Sequence, residues 1–235
     1  MVRARLEVIS CPLSTVEGEG KGGQLALIDM KEREYMTTLE DNKVAVNYVE
    51  VAGVTLLTLL EGVSSHATTD KSLPTLNAVH IESEGGLFKA KATDRYRLIE
   101  GSLLSVDGRL EPSLISLYDI KRVIALCKDH KANRVQFSRI GDTITVSSLG
   151  DAITFTVLAG TFPPTEELLA KSEGEPVAVE GVAFNPAFMA DYAKIAGKGA
   201  AIKLYFTGSG KPMRVRITGD AISWRALLMP MRYTD

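Results

Sequence analysis

Apolar and polar residues alternate along Leu87–Leu98, LFKAKATDRYRL. Phe88, Ala90 and Ala92 share one face and Leu87, Lys89 and Lys91 the other, the period of two of a strand whose faces meet different surroundings. Thr93 and Asp94 then interrupt the pattern. Both bond local backbone groups readily, so Asp94 reads as a turn former, and Tyr96 and Leu98 resume the alternation with Arg95 and Arg97 between them. On local chemistry the segment is either a bent hairpin or the polar rim of an apolar peptide groove.

The same patterning organises most of the chain. Val54, Leu57, Leu60 and Val63 recur at helical spacing, with Thr55, Thr58 and Glu61 on a second face. Three strand-like segments follow, LNAVHIES, LFKAKAT and RYRLIEGSLL. The order returns as a helix over 116–130 and the segments RVQFSR, TITVSS and AITFTVLA. It returns again as a helix over Pro186–Ala196 followed by AIKLYFTG, PMRVRIT and ISWRALLMP. A unit of one helix and three strands, repeating at roughly fifty to sixty residues, predicts an α+β fold of helix-plus-antiparallel-strand units.

One helix cannot cover both the apolar face and the free edges of a small sheet, so two units are expected per domain. Residues 47–172 hold two units and residues 173–235 hold one. SEGEP, Ser172–Pro176, is polar and ends in proline, as a linker does, and the preceding FPPTEELL is stiffened by Pro163 and Pro164. Residues 1–46 are less patterned. VRARLEVIS and QLALIDM read as short strands around the glycine-rich EGEGKGG, and Met30–Asp41 is charged enough for a helix but lacks apolar periodicity. GEGKGG lacks the spacer, the Gly-Lys pair and the Ser or Thr of a phosphate loop.

Composition narrows the function classes. The 235 residues are 45% hydrophobic, enough for a full core, and 27 basic against 29 acidic side chains leave a net charge of -2. That balance argues against a protein coated all over by nucleic acid, while permitting positive charge confined to one wall. No run is apolar enough to span a bilayer, and Arg3, Arg5 and Glu7 stand where a signal peptide would be apolar, so no membrane partner and a cytoplasmic location are expected. Cys11 and Cys127 lack CxxC spacing and read as reduced thiols. His66, His80 and His130 are scattered, and GxSxG and HExxH motifs are missing, so neither a cofactor, a metal site nor catalysis is expected.

Four segments in order, LPTLNAVHIE, ATDRYRL, TFPPTEELL and LLMPMRYTD, together resemble the bacterial DNA polymerase III beta subunit, the sliding clamp. The family carries a similar leucine-asparagine strand, an ATDGxRL-like turn, a phenylalanine-proline link between its second and third domains and a C-terminal MPMR. The resemblance runs from about Glu50 to Ala170 and from about Pro176 to the C-terminus. It implies a ring-forming DNA clamp fold with helices lining the inner wall. Residues 47–172 would correspond to the second domain and 173–235 to the second half of the third, with residues 1–46 packing against the C-terminal unit. Two domains per subunit favour a trimeric ring if six domains close the circle; a dimer stays open. The short length is compatible with a phage-encoded clamp.

The function implied is that of a processivity factor that encircles duplex DNA without reading sequence. It would tether the replicative DNA polymerase, and engage a clamp loader, through short linear peptides. The alternative is a module that captures such peptides without encircling DNA. DNA-facing candidates are Lys121, Arg122, Lys128 and Lys131 on and after the second helix, whose apolar stripe is Leu117, Ile120, Val123, Ile124 and Cys127. Lys194 and Lys198 on and after the third helix, and Lys71 before LPTLN, join them. The implied peptide groove comprises Leu76, Thr93, Arg95, Tyr96, Arg97, Leu98, Pro163, Leu168, Leu228, Met229, Pro230, Met231 and Arg232. Leucines and methionines offer an adaptable apolar surface there, and Arg97 or Arg232 would orient backbone or carboxylate groups. For Met229 a place in the chain's own core is an equal alternative. Two departures stand out: Arg95 replaces the usual glycine, which would forbid a left-handed backbone, and Tyr233–Asp235 extend past the usual terminus, where they would cover part of the groove.

Overall fold

The structure, a computed structural model, describes residues 47–105, 107–197, 199–218 and 221–232. The expectations placed on residues 1–46, on Lys198 and on Tyr233–Asp235 lie outside the described residues. Residues 46–235 form one compact unit.

Each of the first two units begins with a strand that its periodicity did not announce. The order is β1 (Tyr48–Ala52), α1 (Gly53–Ser64), β2 (Ala78–Glu84), β3 (Leu87–Thr93) and β4 (Arg97–Leu104). After the two-residue β5 (Asp107–Gly108) come β6 (Leu110–Ser116), α2 (Leu117–Asp129), β7 (Arg134–Ile140), β8 (Thr143–Ser148) and β9 (Asp151–Thr156). A short helix α3 (Thr165–Lys171), not expected from the sequence, precedes α4 (Pro186–Ala196), β10 (Ala201–Tyr205), β11 (Met213–Thr218) and β12 (Ser223–Leu228).

The leading strands change places. β1 leaves its own unit to pair with β7, Val49 opposite Phe137, while β6 pairs with β2, Val79 opposite Ile115. Two antiparallel sheets result, in the orders β5-β1-β7-β8-β9 and β10-β11-β12-β4-β3-β2-β6. The second runs without a break from the second unit's leading strand, through the first unit, into the third. Its central seam is β4 against β12, with Leu98 opposite Leu227 and Arg97 opposite Leu228.

Local chemistry sets the helix ends. The Ser116 hydroxyl accepts from the Asp119 amide at 3.0 Å and donates to the Asp119 carboxylate at 2.6 Å, capping α2. Asn185 Oδ1 accepts from the Ala187 amide at 2.9 Å and Pro186 opens α4, a position where a missing amide costs nothing. The helices α1 and α2 pack against each other, α1 on β1, β3 and β4, and α2 on β2, β6 and β9. Leu56, Leu59, Leu60 and Val63 of α1 and Ile120, Val123 and Cys127 of α2 are fully buried between the sheets' inner faces. Burial pushes the Cys127 thiol up to about 12, which makes it a packing group. Among the described residues no helix is long and apolar enough to cross a membrane.

The outer face of the seven-stranded sheet is covered by the segment between β9 and α4. The Leu158 amide bonds the Leu114 carbonyl at 2.8 Å, Phe162 stacks on His80 with ring centres 5.3 Å apart, and Leu169 of α3 is buried with Leu98 and Leu227.

On the inner face the chain's single tryptophan, Trp224, sits between two glycines. A Cβ on Gly62 of α1 would lie 2.7 Å from its ring, and one on Gly101 of β4 would lie 2.6 Å from it. Gly101→Ala is therefore expected to destabilise the fold by about 1–3 kcal/mol through overpacking. Urea unfolding followed by Trp224 fluorescence checks this, and an unchanged midpoint would contradict the packing.

Candidate functional site

Thr93, Asp94 and Arg97 build the turn between β3 and β4. Asp94 Oδ1 accepts from the amides of Tyr96 and Arg97, both at 3.0 Å, and the Thr93 hydroxyl donates to the Arg97 carbonyl at 2.7 Å. These bonds force Arg95 into the left-handed region, with φ of 80°. The expectation that an arginine would forbid that conformation is overturned: side-chain bonds from both neighbours of the turn outweigh the local steric penalty. Arg95 and Tyr96 consequently stand out into solvent.

Arg97 points the other way and is buried. Its Nε donates to Asp94 Oδ2 at 2.9 Å, Nη1 to Asp191 of α4 at 2.7 Å and Nη2 to the Ser65 carbonyl after α1 at 2.6 Å. The guanidinium carbon also lies 4.2 Å from the centre of the Phe188 ring. All three of its nitrogens thus bind within the chain, contrary to the expectation that Arg97 orients a peptide. His66 is fully buried beside it, its Nδ1 3.1 Å from the Gly62 carbonyl and its ring 5.3 Å from that of Tyr192. Burial, aided by the Arg97 charge, pushes the His66 imidazolium down to about 4.

Next to this node two clefts adjoin. One, of about 310 Å³, is lined by Thr93, Arg95, Tyr96, Arg97 and Leu98, by Leu168, Lys171 and Ser172, by Thr207, Lys211 and Pro212, and by Leu227 and Met229. The other, of about 340 Å³, is lined by Tyr96, Asn185, Phe188, Met229, Pro230, Met231 and Arg232. Tyr96 and Met229 line both. The chain after β12 is held from two sides, the Met229 amide on the Tyr96 carbonyl and the Met231 amide on the Ala183 carbonyl, both at 2.8 Å. Leu228 is fully buried, whereas Met229 and Met231 are 42% and 53% exposed, so the core role falls to the leucine and both methionines face the clefts.

Ten of the thirteen residues expected in a groove are thereby brought together. Leu76, Pro163 and Leu228 line neither cleft: Leu76 is tied by backbone bonds to Thr68 and Leu73, the Pro163 carbonyl accepts from the Thr165 amide, and Leu228 is core. Lys171, Lys211 and Phe188, which sequence reasoning missed, join the lining. They come from separate segments, and no periodic signal links them to the turn.

Beneath α3 lies a network of charges. Lys91 Nζ, nearly buried, is 2.9 Å from Glu166, 3.0 Å from Glu82 and 3.4 Å from Glu100. Arg225 donates through Nε and Nη2 to Glu100 and through Nη2 to Glu166 at 3.1 Å. Burial opposes charge on Lys91, but the bonds to Glu166 and Glu82 prevail and raise it. Partial desolvation pushes Glu166 up, but the bonds with Lys91 and Glu100 and the Lys91 and Arg225 charges together outweigh it and hold the group at about 2. This network fixes α3, and with it the wall formed by Leu168 and Lys171.

Two helices and the turns beside them carry the other expected residues. Lys71, Lys121 and Lys131 are exposed and form no ion pair among the described residues. The rest of the basic face is less free than the sequence implied. Arg122 pairs with Asp119 at 2.9 Å, Lys128 reaches Glu61 of α1 at 2.9 Å, and Lys194 pairs with Asp191 at 2.8 Å. The Lys128–Glu61 pair is exposed on both sides, and a pair of that kind is weak and exchangeable.

Two outcomes follow from the turn and its buried neighbours. Arg95→Gly should stabilise the fold by about 0.5–1 kcal/mol, relief of the left-handed strain exceeding the entropy cost of glycine; a lower melting temperature would contradict the turn geometry. For His66, the folded value lies below the ordinary 6.5, so the unfolded chain takes up the proton first and stability present above pH 6.5 is lost as the pH falls toward 4. Between pH 7 and 5 the loss should be about 2 kcal/mol, and His66→Phe should remove most of it. Urea midpoints at the two pH values measure both.

No protein-family profile matches the sequence, and no curated protein matches it. Solved structures do match the fold. The DNA polymerase III beta subunit of Thermotoga maritima is 19% identical with a TM-score of 0.66, over 80% of this chain and 66% of that one. The Bacillus subtilis DNA polymerase sliding clamp is 16% identical with a TM-score of 0.67, over 81% and 66%. The Pseudomonas aeruginosa sliding clamp bound to griselimycin is 16% identical with a TM-score of 0.65, over 79% and 65%. The chain spans slightly less than two thirds of the length of these relatives. Its helices and antiparallel sheets accordingly have the sliding-clamp fold, the fold of the bacterial DNA polymerase III beta subunit.

Proposed function

We propose that this chain is a non-catalytic sliding-clamp subunit that assembles into a ring around duplex DNA and tethers a replicative polymerase through the paired clefts. The observation that carries the reading is the juxtaposition, on a clamp fold, of Tyr96, Leu168, Met229 and Met231 as exposed apolar groups around two adjoining clefts. Two cavities divided by Tyr96 and Met229 suit a short peptide with two apolar anchors, and methionine adapts to several sequences. Burying such anchors contributes roughly 3–6 kcal/mol before ordering costs, as an exchangeable tether requires.

In this reading Lys121 and Lys131 lead the phosphate contacts on the inner wall. Lys128, Lys194 and Arg122 join by swinging from their carboxylate partners to phosphate, Lys128 most readily because both it and Glu61 are exposed. Such contacts are blind to sequence, and each neutralised phosphate steepens the fall of log affinity with log salt by about 0.9. Residues 47–172 act as one complete domain, and residues 173–235 belong to a second. Two domains per subunit favour a trimer.

Light scattering on a size-exclusion column, across a dilution series, is expected to give a stable trimer, and a monomer at micromolar concentration would overturn the ring. Lys121→Glu with Lys131→Glu should impair loader-dependent retention on circular DNA and spare peptide binding. Met229→Ala with Leu168→Ala should weaken binding of a clamp-motif peptide by about tenfold and spare assembly. Equal loss of both activities in either variant would contradict the separation of the two sites.

A further inference from the structure

We propose that the peptide bound in the first cleft carries carboxylates flanking its apolar anchors, and that Arg95, Lys171 and Lys211 set this preference. The inference rests on the peptide-groove reading and names the class of peptide. The three cations come from three separate segments, the turn before β4, the end of α3 and the hairpin before β11, and all three are exposed at the cleft. No carboxylate side chain lines either cleft among the described residues, and the second cleft adds Arg232.

This local excess of positive charge stands on a chain whose net charge is -2. The acidic groups nearby are already occupied. Asp94 holds the turn and Arg97, and Glu166 serves Lys91 and Arg225. Glu167 lies 3.7 Å from Lys171 with both side chains mostly in water, a contact too long and too exposed to neutralise it. Asp70 is bonded by Ser72 and reaches Arg95 only through its charge. Arg95 and Lys211 form no ion pair among the described residues. A neutral peptide on the apolar floor of Leu98, Leu168, Leu227 and Met229 would leave these cations uncompensated at its edge, whereas aspartate or glutamate beside each anchor would meet them. The apolar floor favours a peptide over a nucleic-acid strand, which would present phosphate to the rim but only bases to the leucines.

The test compares two blocked fluorescent peptides with the same leucine–phenylalanine anchors, flanked by serine in one and aspartate in the other. Against the full chain at low salt, anisotropy should show the aspartate peptide binding about five- to tenfold tighter, the difference shrinking at high salt. In Arg95→Gln/Lys211→Gln the ratio of the two affinities should fall to near one, and circular dichroism confirms that the exposed substitutions leave the fold intact. Equal binding of both peptides by the unaltered chain overturns the charge preference while leaving the groove standing. If neither binds, the groove reading itself fails and the inference with it. An oligothymidylate that displaces the aspartate peptide more effectively than unlabelled aspartate peptide does would reassign the cations to phosphate.

Discussion

A single buried guanidinium holds together the segments on which the candidate site depends. Arg97 joins the turn before β4, the end of α1 and the body of α4 through three charge-assisted or backbone bonds, and its face lies on Phe188. Removing one partner of such a buried set typically costs about 3–5 kcal/mol, because the others are left charged and dry. The cost here would be local in its consequences. Asp94 shapes the turn that displays Arg95 and Tyr96, and Asp191 and Phe188 place α4 under the second cleft, so both clefts take their outline from where this one side chain points.

The two faces of the seven-stranded sheet use different physics for the same purpose. Inside, helices bury leucines and valines against the strands, and Trp224 of β12 fills the space over Gly62 of α1 and Gly101 of β4, so helix position follows from shape. Outside, α3 is too short to bury much. Its position follows from Leu169 together with the Lys91, Glu100, Arg225 and Glu166 network, where charges removed from water demand near-complete pairing. The cleft wall formed by Leu168 and Lys171 is therefore positioned electrostatically, while the opposite wall at Met229 is positioned by backbone bonds to Tyr96.

Much of this was legible in the residue pattern. The stripe Leu117, Ile120, Val123 and Cys127 located α2, and Asn185, Pro186 and Gly197 bracket α4 where its ends fall. β6 escaped notice because Pro112 interrupts it, which is tolerated since β6 is an edge strand. β1 is only five residues long, too short to separate from the helix that follows. In the site, ATDRYRL marked the turn, but the backbone of Arg95 depended on side-chain bonds that no steric rule for the isolated residue contains. Arg97, read as a peptide contact, is an internal tie because Asp191 lies 94 positions later, a pairing that spacing cannot reveal. Lys91 and Glu100 sat on strand faces that looked solvated until α3 covered them.

The exchange of leading strands has a kinetic meaning. Apart from the two-residue β5 on its other side, β1 finds its partner only in β7, and β2 finds its outer neighbour only in β6, so neither of the first two units can satisfy its own edge. A chain emerging from the ribosome must leave the full length of β1 without its main partner until β7 has also emerged, and long-range pairing of this kind slows folding and leaves strand edges exposed meanwhile. Once formed, the crossed pairing ties the two units to each other, so that neither can lose its helix or sheet without opening the other and the two unfold as one body.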